Sequence, residues 1–132
     1  VNFESSCNLE GGQAFAIDKN SVNQAGCIHT TQGLEFDYVG VIIGDDLRYE
    51  NGHVKTDFNK RASTDQSIKG IKTLYKQNPE EANARADEII KNTYRTLITR
   101  GMKGCYIYCT DKNLSEYIKS PLPKKKSKPY SL

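Results

Sequence analysis

The chain has 132 residues, and its hydrophobic share of 36% suffices for one compact domain with a modest core. Its formal net charge is +3, from 19 basic and 16 acidic side chains. Four lysines and no acid stand in the last residues, 120–132, so the rest of the chain is nearly neutral. This balance argues against a body built to bind polyanions.

No leader peptide or membrane span is expected, because the longest apolar run, residues 38–43, is far too short to cross a bilayer. The four cysteines form no Cys-x-x-Cys pair and only two histidines accompany them, so a zinc site is not expected. This cysteine usage is typical of a reduced, cytoplasmic protein. The chain begins with valine, and we expect it to be part of a longer protein, called the parent below.

The first predicted elements are short. A turn is marked by Gly11-Gly12, and residues 15–17 and 26–29 are two strand candidates separated by a polar loop. After the polar segment 29–35, residues 38–44 are the strongest strand candidate. This run is rich in Val and Ile, which predicts a strand buried on both faces of a parallel sheet.

A β-hairpin is predicted next. The dipeptide Asn51-Gly52 is the strongest short turn signal, and strand-like residues 47–49 and 53–55 flank it. Residues 57–65 are polar and are expected to be mobile. Asp65 is predicted to cap a helix that continues to about Lys76.

A long helix is predicted from its cap, Asn78, to about Thr99, with Pro79 in the first turn. Its predicted buried stripe consists of Ala82, Ala86, Ile89, Ile90, Thr93, Leu97 and Ile98. A strand at residues 105–109 and a final helix capped by Thr110 or Asp111 complete the pattern. The alternation of strands and helices predicts an α/β sheet with helices on its faces.

Two polar clusters adjoin predicted strands. The first is HTTQGLE, residues 29–35, and the second is TLITRG, residues 96–101, at the end of the long helix. In parallel α/β sheets, ligands bind outside the carboxyl ends of the strands. We therefore expect the two clusters to meet at such an end and to face a ligand there.

The two clusters carry a resemblance to known proteins. HTTQGLEFDYVGVI resembles motif V of superfamily 1 helicases, and TLITRGMKGCYIY resembles their motif VI. The chain from near Phe15 to about Tyr117 is similar to the C-terminal part of a bacterial family of helicase-like proteins of unknown function, related to the Schlafen group 3 helicase-like domain. The resemblance implies a RecA-like (P-loop NTPase-type) three-layer α/β domain with a mainly parallel sheet. It would span residues 1–119, with a hairpin-bearing insertion at about 45–78 and a basic flexible tail at 120–132.

The resemblance also assigns residues to a nucleotide site between two RecA-like domains. Arg100 matches the catalytic arginine of the second domain, whose guanidinium neutralises charge on the transferring phosphoryl group. Glu35 matches the acid that binds the nucleotide sugar, and Gly33 lets the backbone approach closely. Coupling between nucleotide and nucleic acid is implied for His29, Thr30, Thr31 and Gln32. At position 32, glutamine departs from the lysine common in many relatives, so its role stays open.

Each of these residues also has an ordinary structural explanation. Arg100 is a cation near a helix C-terminus, where the helix dipole favours one in any protein. Glu35 is also explained as a solvated loop acid, and His29 as a hydrogen-bonded structural histidine. The hairpin insertion has two interpretations, a surface that touches nucleic acid or a partner and a plain solvent-exposed hairpin.

The chain lacks a phosphate-binding loop, because the dipeptide Gly-Lys does not occur in it. The resemblance therefore implies half of an ATP-dependent, helicase-like motor. We expect ATP and Mg²⁺ to bind in the parent, and neither to bind tightly to this chain alone. The expected partners are an N-terminal P-loop domain of the same parent and single-stranded DNA or RNA, with no membrane. The alternatives are a helicase-shaped nucleic-acid or protein binding module without ATPase activity, and a regulatory nucleotide sensor.

Overall fold

Strands and helices alternate along the described part of the chain, which comprises residues 19, 25, 26, 28–31, 33–62 and 65–121 of a computed structural model. In chain order the elements are α1 (Ile28–Thr31), β1 (Phe36–Ile43), β2 (Leu47–Glu50), β3 (His53–Thr56), α2 (Ile71–Gln77), α3 (Pro79–Ile98), β4 (Gly101–Cys109) and α4 (Lys112–Lys119). Two short 3-10 turns, Phe58–Lys60 and Gln66–Ile68, precede α2. The predicted strand at residues 15–17 and the basic tail after residue 121 lie outside the described residues.

The chain divides into two compact units. The first comprises residues 1–41 and 92–107, and the second comprises residues 42–91 and 108–132. The first unit holds α1, most of β1 and β4, and the end of α3. The second unit holds the hairpin β2–β3, α2, the beginning of α3, and α4.

β1 and β4 form a small parallel sheet. In the first unit, the Phe36 N–H donates to the Arg100 carbonyl over 3.0 Å, which aligns the starts of the two strands. In the second unit, the Thr110 N–H donates to the Ile43 carbonyl over 3.0 Å, which aligns their ends. The predicted α/β class and parallel pairing are confirmed, and a complete RecA-like sheet stays a prediction.

The prediction that β1 is buried on both faces is wrong. Val41 and Ile43 are buried, whereas Tyr38 and Ile42 are 59% and 47% exposed. Exposure follows the period of two that a strand covered on one face shows. The apolar run signalled a strand correctly, but it did not distinguish one covered face from two.

The predicted hairpin is confirmed. β2 pairs antiparallel with β3 in a register that sets Leu47 opposite Thr56 and Glu50 opposite His53. Both turn residues have positive φ, 51° at Asn51 and 83° at Gly52, as the favoured two-residue hairpin turn requires. The short turn holds the two strands in register without a longer loop.

The predicted long helix is also confirmed, as α3. The Asn78 side-chain oxygen accepts the Glu81 N–H over 3.3 Å, and this cap starts the helix. α3 buries four residues spaced four apart: Ala82, Ala86, Ile90 and Tyr94. Tyr94 was not in the predicted stripe, since a tyrosine reads as amphipathic until its surroundings are known.

Residues 57–65, predicted to be mobile, contain an ion-pair network. Arg61 is only 9% exposed; its guanidinium donates to Asp46 over 2.9 Å and to Asp65 through two nitrogens. Asp46 is itself buried, at 5% exposure. A buried carboxylate needs such a partner, so the arginine permits the turn at Asp46 to enter the core.

The helix predicted from Asp65 to about Lys76 is interrupted. The Asp65 side chain caps the 3-10 turn Gln66–Ile68, accepting the Ser67 N–H over 2.8 Å. Gly70 then adopts φ 87°, a left-handed conformation that breaks the helical path before α2 begins at Ile71. The glycine was the local signal for this break.

α4 is anchored to the hairpin through Asp111. Its carboxylate caps α4 by accepting the Leu114 N–H over 3.1 Å, as predicted, and it also accepts the Tyr49 N–H of β2 over 2.9 Å. These backbone hydrogen bonds, that from Tyr49 first, lower the pKa of Asp111. The rings of Tyr49 and Tyr117 stack with centroids 4.3 Å apart. The core of the second unit, formed by residues such as Ile43, Ile90 and Leu114, lies beneath these contacts.

In the described part of the chain, none of the helices combines the length and the apolar character that crossing a membrane requires. Within the same residues, no three His, Cys, Asp or Glu side chains gather where they could hold a metal ion.

The Arg61 network leads to a stability prediction. Arg61→Met keeps most of the side-chain volume but leaves Asp46 and Asp65 without their cation, so we expect a loss of about 2–4 kcal/mol in the free energy of unfolding. Lys91→Met is the control, because Lys91 pairs with Asp87 at 2.8 Å on the surface, and we expect it to cost about 0.5 kcal/mol or less. Urea denaturation measures both, and equal losses would contradict the structural role of Arg61.

The same network predicts acid sensitivity. Burial alone would raise the pKa of Asp65, but hydrogen bonds from Ser67 and Arg61 outweigh it and hold the pKa below its ordinary value. The folded protein therefore takes up this proton less readily than the unfolded chain. The resulting stabilisation is complete above the ordinary aspartate pKa of about 3.9 and is lost as the pH falls through the lower folded pKa.

Urea midpoints measured across this acidic range test the linkage. Wild type should lose more stability on acidification than Asp65→Asn, which has no proton to gain at this position. Parallel pH curves for the two proteins would refute it.

Candidate functional site

The polar segment before β1 folds as a short helix and a turn. Residues 26–29 were predicted as a strand, but α1 covers Ile28–Thr31, so that prediction is wrong for Ile28 and His29. The Leu34 N–H donates to the Thr31 carbonyl over 3.2 Å, and Gly33 has φ 79°. This turn reverses the chain into β1, and the left-handed backbone explains the glycine.

The predicted coupling residues follow α1. His29 is exposed, Thr31 is half-buried, and the Thr31 hydroxyl donates to the Ile28 carbonyl over 3.3 Å. Gln32 and the side chain of Thr30 lie outside the described residues. The segment is therefore a helical turn that begins immediately before the Gly33 reversal.

The second cluster is a turn between α3 and β4. The Thr99 hydroxyl donates to the Arg95 and Thr96 carbonyls, at 2.9 and 3.0 Å, and the Arg100 N–H donates to the Leu97 carbonyl over 3.3 Å. These bonds satisfy the carbonyls left open at the helix end. The backbone of Arg100 is thereby held on both sides.

Gly101 makes the close turn into β4 possible. A Cβ atom at this position would lie 2.2 Å from the Gly104 carbonyl oxygen and 3.1 Å from the Val39 side chain. A larger residue would have to displace backbone. The glycine therefore fixes where β4 leaves the turn that carries Arg100.

Glu35 and Arg100 stand at the same end of the β1–β4 pair. Phe36, directly after Glu35, donates its N–H to the Arg100 carbonyl over 3.0 Å. The expectation that the two clusters meet is supported by this bond, but the expectation of a carboxyl end is wrong. Both residues precede their strands, so the parallel pairing sets them at the amino ends.

Both charged side chains remain available for a ligand. Glu35 is exposed and Arg100 is half-exposed, and neither has an ion-pair partner among the described residues. Lys103 and Asp37, in the same unit, pair with each other at 3.0 Å. Charges without a protein partner beside a fixed backbone are the usual components of an anion or nucleotide site.

The Lys103–Asp37 pair was missed by sequence reasoning. Both residues are more than 60% exposed, and each occupies an early position in its strand. Their polar character within apolar runs was the available signal. Register between two strands was needed to recognise that they face each other.

A sequence profile of the family described as Schlafen group 3, DNA/RNA helicase domain, matches residues 2–111. The chain belongs to this family. The match covers both polar clusters, β1 and β4, and it indicates a helicase-related domain. The predicted bacterial origin and the assignment to a C-terminal RecA-like domain stay predictions.

The Schlafen group 3 helicase chain is also similar to the uncharacterized protein YPL245W of Saccharomyces cerevisiae. The two are 29% identical over 105 residues, which is 80% of this chain and 22% of the yeast protein. The chain thus spans less than a quarter of that relative. No solved structure matches it.

The Gly33 turn leads to a prediction. Gly33→Ala should cost about 1 kcal/mol of unfolding free energy, because alanine is strained at φ 79° although no atom lies within 4 Å of the added carbon. Gly40→Ala is the matched control, since its site is equally open and its φ is not positive. Thermal or urea unfolding measures both, and a loss at Gly40 as large as at Gly33 would refute the conformational explanation.

Proposed function

We propose that this chain is the second RecA-like domain of an ATP-dependent, helicase-like nucleic-acid motor. Membership of the Schlafen group 3 helicase family supports a helicase-related role. The observation that carries the rest is the hydrogen bond from the Phe36 N–H to the Arg100 carbonyl, which joins the ends of the two helicase-like motifs. One acid and one arginine then stand together without partners in the described residues.

Arg100 is the proposed arginine finger. Its backbone is held by bonds to Leu97 and Phe36, while its half-exposed guanidinium is available to a phosphate. A fixed guanidinium stabilises the charge that develops on the phosphoryl oxygens during transfer. Rigid backbone with a side chain free of internal pairing is what this role requires.

Glu35 and Gly33 are the proposed nucleotide-binding residues beside it. The exposed Glu35 carboxylate can accept hydrogen bonds from ribose hydroxyls. Nothing lies within 4 Å of the position that a Gly33 side chain would occupy, so a ligand can approach that backbone. Both residues adjoin the start of β1.

The coupling role is proposed for the segment just before Gly33, namely His29, Thr30, Thr31 and Gln32. α1 ends within two residues of the nucleotide-binding glycine, so movement of a bound strand at α1 would reach the nucleotide site through one turn. The proposed strand is single-stranded DNA or RNA. The nearly neutral body is consistent with tracking a strand and not with clamping a duplex by charge alone.

The remaining parts of the ATP site would come from the parent. This chain contains no Gly-Lys dipeptide, so the loop that cradles the β- and γ-phosphates belongs to the proposed N-terminal P-loop domain. ATP and Mg²⁺ would bind there, and the metal would neutralise phosphate charge. This chain's own contribution is to orient the sugar and to present Arg100.

The parent protein provides the decisive test. Arg100→Ala should reduce ATP hydrolysis by about a thousandfold, as loss of an arginine finger does. Arg95→Ala is the control, because Arg95 is exposed one turn earlier on α3, and it should leave hydrolysis nearly unchanged. Steady-state phosphate release measures both variants.

Nearly normal turnover in Arg100→Ala would remove the finger assignment. The isolated 132-residue chain should not hydrolyse ATP, and an ordinary enzymatic rate from it would contradict a divided site.

A second candidate function is a helicase-shaped binding module without ATPase activity. The absence of a phosphate-binding loop from this chain is the observation that keeps it in view. An intact Gly-Lys-Ser/Thr loop elsewhere in the parent favours the motor, and its absence favours the binding module.

A further inference from the structure

One face of the β1–β4 pair in the first unit is apolar and open. We call it the tyrosine face, and its residues alternate along the two strands: Tyr38, Gly40, Met102, Gly104 and Tyr106. Tyr38, Met102 and Tyr106 are 59%, 66% and 73% exposed. The rings of Tyr38 and Tyr106 lie 6.5 Å apart, so the exposed groups form one patch.

Glycine keeps this face shallow. A Cβ atom on Gly104 would lie 3.1 Å from the Tyr38 ring, so the ring lies across the β4 backbone where glycine leaves room. At Gly40 nothing lies within 4 Å of the added carbon. The patch is therefore a broad platform of ring faces and bare backbone, which suits an elongated element lying along it.

Parallel strands are rarely left in this condition. Sheets made of parallel strands occur with both faces covered, and a two-stranded sheet is only marginally stable alone. An uncovered patch of large apolar groups marks a surface that another element covers. The remaining question is what that element is.

Charge argues for protein and against nucleic acid. A single strand that stacks on tyrosines also needs cations for its phosphates. The tyrosine face contains no lysine or arginine, and Lys103 alternates to the other side of β4, where it pairs with Asp37. Tyrosine and methionine without charge are typical of the centre of protein interfaces.

The length of a relative indicates where this protein element resides. The segment of the yeast protein that matches this chain is 22% of that protein, so more than three times as much sequence lies outside it. A member of this family can therefore supply the missing layer from its own polypeptide.

We propose that the tyrosine face packs against an amphipathic helix from the part of the parent that lies outside these 132 residues. The inference rests on the proposed function in one respect, namely that this chain is part of a larger helicase-like protein. The helix would present apolar side chains to Tyr38, Met102 and Tyr106, and would place the tyrosine hydroxyls at its polar margin.

Hydroxyl-radical footprinting with mass-spectrometric detection tests this packing, because tyrosine and methionine react readily when exposed. Oxidation rates at Tyr38, Met102 and Tyr106 are compared between the isolated chain and the full parent, each normalised to the urea-unfolded protein. In the parent we expect rates at least about fivefold lower, since a docked helix excludes water from the face. The readout requires no ATP hydrolysis, so an inactive parent with a protected face would reject the motor but retain this interface.

Three outcomes would overturn the proposal. Equal rates in the two proteins would leave the face open. Protection that arises only when a single-stranded oligonucleotide is added would make it a nucleic-acid surface. Protection of the isolated chain that rises with its own concentration would assign the face to a second copy.

A substitution provides an independent measurement. Tyr106→Asp places a charge where the helix would dock, so it should lower the thermal midpoint of the parent by several degrees. The same substitution in the isolated chain is the matched control and should leave its midpoint nearly unchanged, because Tyr106 is 73% exposed there. Equal shifts in the two proteins would show that Tyr106 acts within its own unit.

Discussion

The pairing of the starts of β1 and β4 is the constraint on which the candidate site depends. The Phe36 N–H and the Arg100 carbonyl are far apart in sequence, and one backbone hydrogen bond of 3.0 Å joins them. The bonds of the Thr99 hydroxyl and the tight fit at Gly101 hold the same turn from the other side. Because the positioning is done by backbone, the charged side chains beside it are not used in folding and remain available for chemistry.

Much of the fold was predictable because its signals are local. Asn51-Gly52 specified the hairpin through backbone conformation, and Asn78-Pro79 specified the start of α3 through capping. The apolar run in β1 identified a strand in the same way. Each of these signals acts within a few residues, so no knowledge of distant contacts was needed.

The features that sequence reasoning missed depend on distant contacts. Arg61 looked like a surface cation until Asp46 and Asp65 were found around it. The coverage of β1 could not be read from its composition, because a Val- and Ile-rich strand looks the same with one neighbouring layer or two. The strand end that carries the site was inferred from a rule for segments that follow strands, whereas the segments holding Glu35 and Arg100 precede them.

The double use of the Asp111 carboxylate has a mechanical consequence. The same oxygen receives the amide of Tyr49 and the amide of Leu114, at 2.9 and 3.1 Å. The second hairpin strand and α4 therefore do not have separate attachments that could be released in turn. A partner that lifts α4 must also pull on β2, so hairpin and terminal helix are expected to swing as one rigid lever about a single carboxylate pivot.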